Sequence, residues 1–214
     1  MRLAVLFFIG ILILAGFQSR QDPMATEILN AVSKKYKKMP GFSATFSHET
    51  EDNSGKTRGL VKGEIKVSGK KYILTTGNTT LICDGKVVWS VDRKVKEVNI
   101  SDYEPEPDDI TPERIYQFYE KGYKYVFMGE MKVKNKIWQT IDLEPENLGK
   151  EISKIRLFVD KQSRQIARWI VYERGTNDRE VFEIEKFSQM DKVNPSEFSF
   201  SKANYPGYKI VDLR

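Results

Sequence analysis

The sequence predicts a mainly β protein: one antiparallel sheet of about eleven strands, curled into a barrel or half-barrel, with two helices to cover it. Three observations carry this. The stretch from Thr79 to Asp92 reads as two strands joined at Asp84-Gly85, a pair that favours the type I′ turn, whose twist matches its flanking strands. Runs of alternating apolar and polar residues recur along the chain, separated by short turns rich in Gly, Asn and Ser. No helix alternates strand by strand, which excludes a parallel doubly wound sheet.

The elements follow in order. Met24 to Met39 is an amphipathic helix with Ile28, Leu29, Val32, Tyr36 and Met39 on one face, and Pro40-Gly41 ends it. Gly41 to Thr50 alternates Phe42, Ala44 and Phe46 against Ser43, Thr45 and Ser47. Thr57 to Val67 and Lys71 to Thr75 follow, across turns at Asn53-Ser54-Gly55-Lys56 and Ser68-Gly69-Lys70. After the hairpin, Val95 to Ile100 is a strand, and the acidic, proline-bearing Ser101 to Asp109 is a loop. Thr111-Pro112 opens a second helix, with Thr as cap and Pro in the first turn; Ile115, Phe118 and Tyr119 form its apolar side and Gly122 ends it. Strands resume at Tyr123 to Gly129, Lys136 to Leu143, Ser153 to Asp160, Gln165 to Glu173 and Arg179 to Gln189. Asn194 to Glu197 is a single helical turn, and Tyr208 to Val211 a last extended piece.

The 214 residues, 40% of them hydrophobic, suffice for one sizeable core. The net charge of +5 is dispersed among 30 acidic residues. The densest basic run, Lys34-Lys35-Tyr36-Lys37-Lys38, has helical spacing and reads as a wet helix face, so no nucleic-acid partner is expected. Arg2 followed by the apolar Leu3 to Ala15 reads as a cleaved signal peptide over residues 1–19, too short for a membrane span. Residues 20–214 then form a single domain. Phe17 stands after Leu14-Ala15-Gly16, where lipid attachment needs Cys, and the only cysteine, Cys83, lies in a strand. The expected product is exported, soluble, not itself lipidated, and free of internal disulfides.

Several strands carry large apolar residues on both faces: Trp89 against Val88, Ile141 and Leu143 against Trp138, Ile155 and Leu157 against Phe158. A curled sheet with helices over its concave side would bury one set. Pattern alone leaves two outcomes open, a filled core or an apolar cavity. Catalytic readings find little support. His48, the only histidine, reads as a strand-end surface residue, and Cys83 as a buried inert thiol. No cluster has metal-ligand spacing, no glycine-rich loop joins a strand to a helix, and no serine sits in a nucleophile elbow. The carboxylates of Asp102 to Asp109 lack the EF-hand pattern. The chain reads as no enzyme, with no cofactor and no metal.

The chain resembles the LolA-type outer-membrane lipoprotein carriers. The likeness rests on Gly41-Phe42-Ser43-Ala44-Thr45-Phe46 after the first helix, Gly63-Glu64-Ile65-Lys66-Val67, Asp84-Gly85-Lys86-Val87-Val88-Trp89, Phe198-Ser199-Phe200 and Tyr208-Lys209-Ile210-Val211-Asp212. It implies an incomplete antiparallel β-barrel with a helical lid, and a periplasmic carrier that takes lipoprotein acyl chains into an apolar cavity. It also implies an ATP-driven inner-membrane transporter as donor, an outer-membrane acceptor, and a monomeric carrier. One chain of about 15 methylenes is worth roughly 12 kcal/mol of burial, so it cannot cross water unaided at a useful rate. The residues expected against the acyl chain are Phe42, Phe46, Ile65, Leu74, Trp89, Ile141 and Trp169 from the sheet. Ile28, Val32, Tyr36, Ile115 and Phe118 are expected from the lid. Two positions depart from the family. The lid-holding arginine falls near Gly69, where only Lys70 or Lys71 can substitute, and Ser90-Val91 replaces the aromatic expected after Trp89. A lipid-sensing domain on the same fold is the competing function, and an envelope-polymer hydrolase a third.

Overall fold

The computed structural model describes residues 21–52, 54–105 and 110–214. The expected signal peptide lies outside the described residues, as does the end of the acidic loop. The described chain forms one helix, α1 (Pro23–Lys37), and one open twelve-stranded sheet. The sheet is mainly β meander and is not closed. In place of the eleven strands expected, β6 gains a short twelfth partner at its edge.

Asp22 starts α1. Its Oδ1 accepts hydrogen bonds from the Met24 N–H (2.8 Å) and the Ala25 N–H (3.0 Å), and Pro23 fills the first position, where no donor is needed. Lys34, Lys35 and Lys37 sit in the last turn, where the helix dipole favours cations.

From α1 the chain meanders through β1 (Gly41–Glu51), β2 (Thr57–Ser68), β3 (Lys71–Thr76), β4 (Thr79–Cys83), β5 (Val87–Asp92) and β6 (Glu97–Asp102). It crosses to the far edge and returns through β7 (Tyr123–Val133), β8 (Lys136–Pro145), β9 (Ile152–Asp160), β10 (Ile166–Glu173) and β11 (Arg179–Met190). There β11 pairs antiparallel with β1, which joins the two meanders at the centre of the sheet. The last strand, β12 (Lys209–Asp212), pairs parallel with β6. Residues 110–122, which lead into β7, lie over the concave face.

That crossing segment is not the second helix the sequence predicts. It holds two isolated 3-10 turns, Pro112–Arg114 and Phe118–Glu120, broken at Gln117 (φ −142°, ψ −1°). Its aromatic rings reach different targets: Tyr116 stacks on Tyr36 (5.1 Å) and Phe118 packs edge-on to Tyr123 (5.3 Å). A regular helix would present its side chains on a fixed spiral and could not follow both. The hairpin turn also differs from the expectation. Cys83 pairs with Val88, so Asp84 is not a central turn residue; its Oδ1 accepts from the Lys86 and Val87 N–H groups, and Gly85 takes the positive φ (92°).

Both faces of the sheet carry apolar clusters. The main core lies on the concave side, where Ile28, Leu29 and Val32 of α1 belong with Ile141, Leu143, Ile155 and Leu157. On the convex side, Ile82, Val91 and Val98 are capped by Phe200, Tyr205 and Tyr208 of the C-terminal segment. Phe158, Ile170 and Val181 form a second convex cluster with Trp138. None of the described helices is long and apolar enough to cross a membrane.

Candidate functional site

The concave face is only partly filled. A set of side chains on β1, β2, β3, β10 and β11 forms a floor by cross-strand register. Ala44 faces Ile65 on β2 and Phe187 on β11, and Ile65 in turn faces Leu74. Phe46 faces Gly63 and Ile184. A bulge at Glu185 lets the inward set of β11 run Phe182, Ile184, Phe187 and curls the sheet at its centre. The rings are ordered. Phe42 stacks on Phe187 (5.4 Å), and Trp169 stacks on Phe182 (4.9 Å, 8° between planes). Gly63 has a steric reason: a Cβ there would lie 2.4 Å from Cζ of Phe46, whose ring covers the glycine.

Above this floor lies an apolar cavity of about 320 Å³, roofed by Ile110, Thr111, Pro112 and Ile115 of the crossing segment and by Tyr36 of α1. That is within the roughly 300–1,000 Å³ usual for ligand pockets. Tyr36 is fixed by its hydroxyl, which accepts the Ile166 N–H (3.3 Å), and by edge contacts to Phe42 and Phe187. Burial pushes its phenol pKa upward.

The roof is fastened by polar contacts. Glu113 is 4% exposed, and its Oε1 accepts from the Tyr103 hydroxyl and from Thr111 Oγ1 (2.7 Å). Arg114 Nε lies 3.7 Å from the same oxygen. Oε2 of Glu113 is buried without a hydrogen-bond partner among the described residues. Further along, Glu120 accepts from Ser33 (3.2 Å) and Lys37 (2.7 Å) on α1. Tyr103 meets Tyr72 of β3 edge-on, and burial raises both phenol pKa values, with Glu113 adding to the effect on Tyr103. Cys83 is fully buried beside them, and burial pushes its thiol up to about 11.

Of the residues expected from sequence, Phe42, Phe46, Ile65, Leu74 and Trp169 line this cavity from the sheet, and Tyr36 and Ile115 from above. Five do not. Ile28, Val32 and Ile141 are buried in the main core, and Phe118 packs there against Tyr123. Trp89 points to the convex face, where it stacks on Phe200 (6.0 Å). Sequence reasoning missed Ala44, Val171, Phe182, Ile184 and Phe187. Alternation through Phe182 and Ile184 was the available signal, and the bulge hid its continuation to Phe187. His48 is not a plain surface residue. It stacks on Phe182 (4.2 Å), a cavity-wall residue, and donates to Glu180. Among the described residues, no group of His, Cys, Asp and Glu could hold a metal ion.

The sequence model of the family described as outer membrane lipoprotein carrier protein LolA matches residues 37–201, well over half the chain. The chain belongs to the LolA family. Its fold matches that of an uncharacterized conserved protein from Thermus thermophilus, with TM-score 0.60 and 11% identity, over 88% of this chain and 99% of that one. A LolA superfamily protein from Nitrosomonas europaea matches with TM-score 0.44 and 9% identity, over 82% and 97% of the two chains. A putative outer membrane lipoprotein-sorting protein domain from Vibrio parahaemolyticus gives 0.43 and 10%, over 80% and 94%. No curated protein sequence matches. Lys70 and Lys71, the positions nearest the family arginine, make no side-chain hydrogen bond or ion pair among the described residues. A polar tie of the roof runs through Glu113 and Tyr103.

Proposed function

We propose that this chain is a periplasmic carrier that binds lipoprotein acyl chains in the cavity between sheet and roof and moves them from the inner to the outer membrane. Residues 1–19 act as its export signal, and an ATP-driven inner-membrane transporter and an outer-membrane acceptor are its partners. The observation that supports this best is the apolar cavity of about 320 Å³ beneath a roof made of short turns. At about 30 Å³ for a water-sized group, the cavity of about 320 Å³ has room for at least about ten methylenes. Their burial is worth roughly 8 kcal/mol. That is strong enough to hold a chain in water, and the roof can yield without unfolding the sheet. The site asks for no catalytic group, only apolar walls and a movable cover.

The test is co-expression of the full chain with a tagged lipoprotein, against the same lipoprotein with its lipidated cysteine replaced. The carrier is expected to co-elute with the acylated form only. Equal recovery of both forms, or of neither, contradicts the reading.

A further inference from the structure

A polar pair stands beside the cavity wall. On the concave face the register places His48, Phe182 and Trp169 side by side on β1, β11 and β10. Their rings form one column: His48 lies 4.2 Å from Phe182 and within 2° of parallel, and Trp169 continues the stack. Phe182 and Trp169 are cavity wall, and His48 ends the column just outside the lining. One position further along, Thr50 pairs with Glu180, and Val171, also cavity wall, pairs with Glu180 from the other side. Glu180 Oε2 accepts from His48 Nε2 and from Thr50 Oγ1 (3.1 Å). Its Oε1 takes no hydrogen bond from the described residues, and the side chain keeps 26% of its exposure. The two arginines nearest on the neighbouring positions, Arg168 and Arg179, lie on the opposite face, both against Glu51.

We propose that His48 and Glu180 form a head-group site beside the cavity wall, which selects acyl chains whose head donates hydrogen bonds, such as an N-acyl amide, over those that end in a carboxylate. This rests on the carrier reading above. A chain lying along Trp169 and Phe182 brings its polar end to Glu180, whose Oε1 is placed to accept an N–H. Glu180 brings a carboxylate to this place, and His48 is hydrogen-bonded to that carboxylate. An anionic head therefore meets the Glu180 carboxylate, while Arg168 and Arg179 are held by Glu51 and Arg58 by Asp178. An amide N–H meets an acceptor held in place from below by the histidine and from the side by the threonine. An acylated polypeptide N-terminus has such a head, and a free fatty acid does not.

The test is displacement of a fluorescent acyl probe from the chain by N-dodecanoylglycinamide and by dodecanoate, each also at ten carbons. Wild type is expected to take the amide at least about fivefold more tightly, the factor for one like-charge contact near 4 Å in water. Glu180→Gln should bring the two affinities together, and Glu180→Lys should reverse the order. An unchanged ratio in both variants overturns the head-group site. If affinity still rises from ten carbons to twelve, the carrier reading survives that result. Failure of both amphiphiles to displace the probe at either length overturns both.

Discussion

Ala44 sits at the centre of the cavity floor, and lengthening it separates an empty cavity from a packed core. In an apolar core, removing a leucine side chain to alanine opens on the order of 150 Å³. Ala44→Leu therefore fills roughly half of the 320 Å³ beneath the roof. If the space is open, the added carbons are buried without displacing neighbours. Three methylene equivalents at about 0.8 kcal/mol each give up to roughly 2.4 kcal/mol of added stability. If the space is already filled, overpacking costs about 1–3 kcal/mol instead. Ligand binding moves the other way. Losing room for about five methylenes removes up to roughly 4 kcal/mol, or about a thousandfold in affinity. Urea denaturation gives the first number and titration with a fluorescent acyl probe the second. The expected pair is unchanged or raised stability with weakened binding. Trp89→Ala is the matched control: it loosens the Phe200 contact on the convex face and leaves acyl binding as it was. A destabilised Ala44→Leu protein that binds the probe normally would mean that the space at Ala44 is already filled and is not where the chain binds.

Three further expectations follow from the same geometry. Gly63→Ala pushes the Phe46 ring, which lies where the new Cβ must go, toward the cavity; acyl-probe affinity falls while the urea midpoint moves little, and unchanged affinity counts against Phe46 as wall. Glu113→Gln keeps the shape of the latch but replaces the accepting carboxyl group by an amide, so the hydrogen bond from Tyr103 weakens by about 1–2 kcal/mol; hydrogen exchange over residues 110–120 should quicken roughly tenfold, with the strands unaffected. The buried Cys83 thiol, held at about 11, keeps its proton more firmly folded than unfolded. Its contribution to stability is complete below about pH 9 and lost as pH rises through about 11, with Tyr72 and Tyr103 acting in the same direction. A urea midpoint that stays level from pH 8 to 11 would contradict that.

The strands were legible because local signals set them: alternation in β1, β2 and β9, and turns that admit few residue types. The crossing segment was not. Thr111-Pro112 is a true helix-start signal, and Ile115, Phe118 and Tyr119 have helical spacing. Yet packing against Tyr36 and Tyr123 overrides them, and both partners are distant in sequence. Trp89 was misplaced for a similar reason. Its strand is apolar on both sides because both sides are covered, and the cover on its side is the C-terminal segment at Phe200 and Tyr205. Nothing within β5 distinguishes cavity from convex cluster. Phe187 was hidden by one inserted residue, since a bulge shifts every later side chain on the strand to the other parity. The pairing of His48 with Glu180 joins strands 132 residues apart and has no local signature.

The space between sheet and roof is expected to hold an acyl chain. Native mass spectrometry of the protein purified from its own cells, without detergent, tests it most directly. A population carrying one acylated polypeptide or lipid, lost in Ala44→Leu and kept in Trp89→Ala, is the result predicted. A single bare mass for the wild-type protein, with no acylated species released on denaturation, would contradict it.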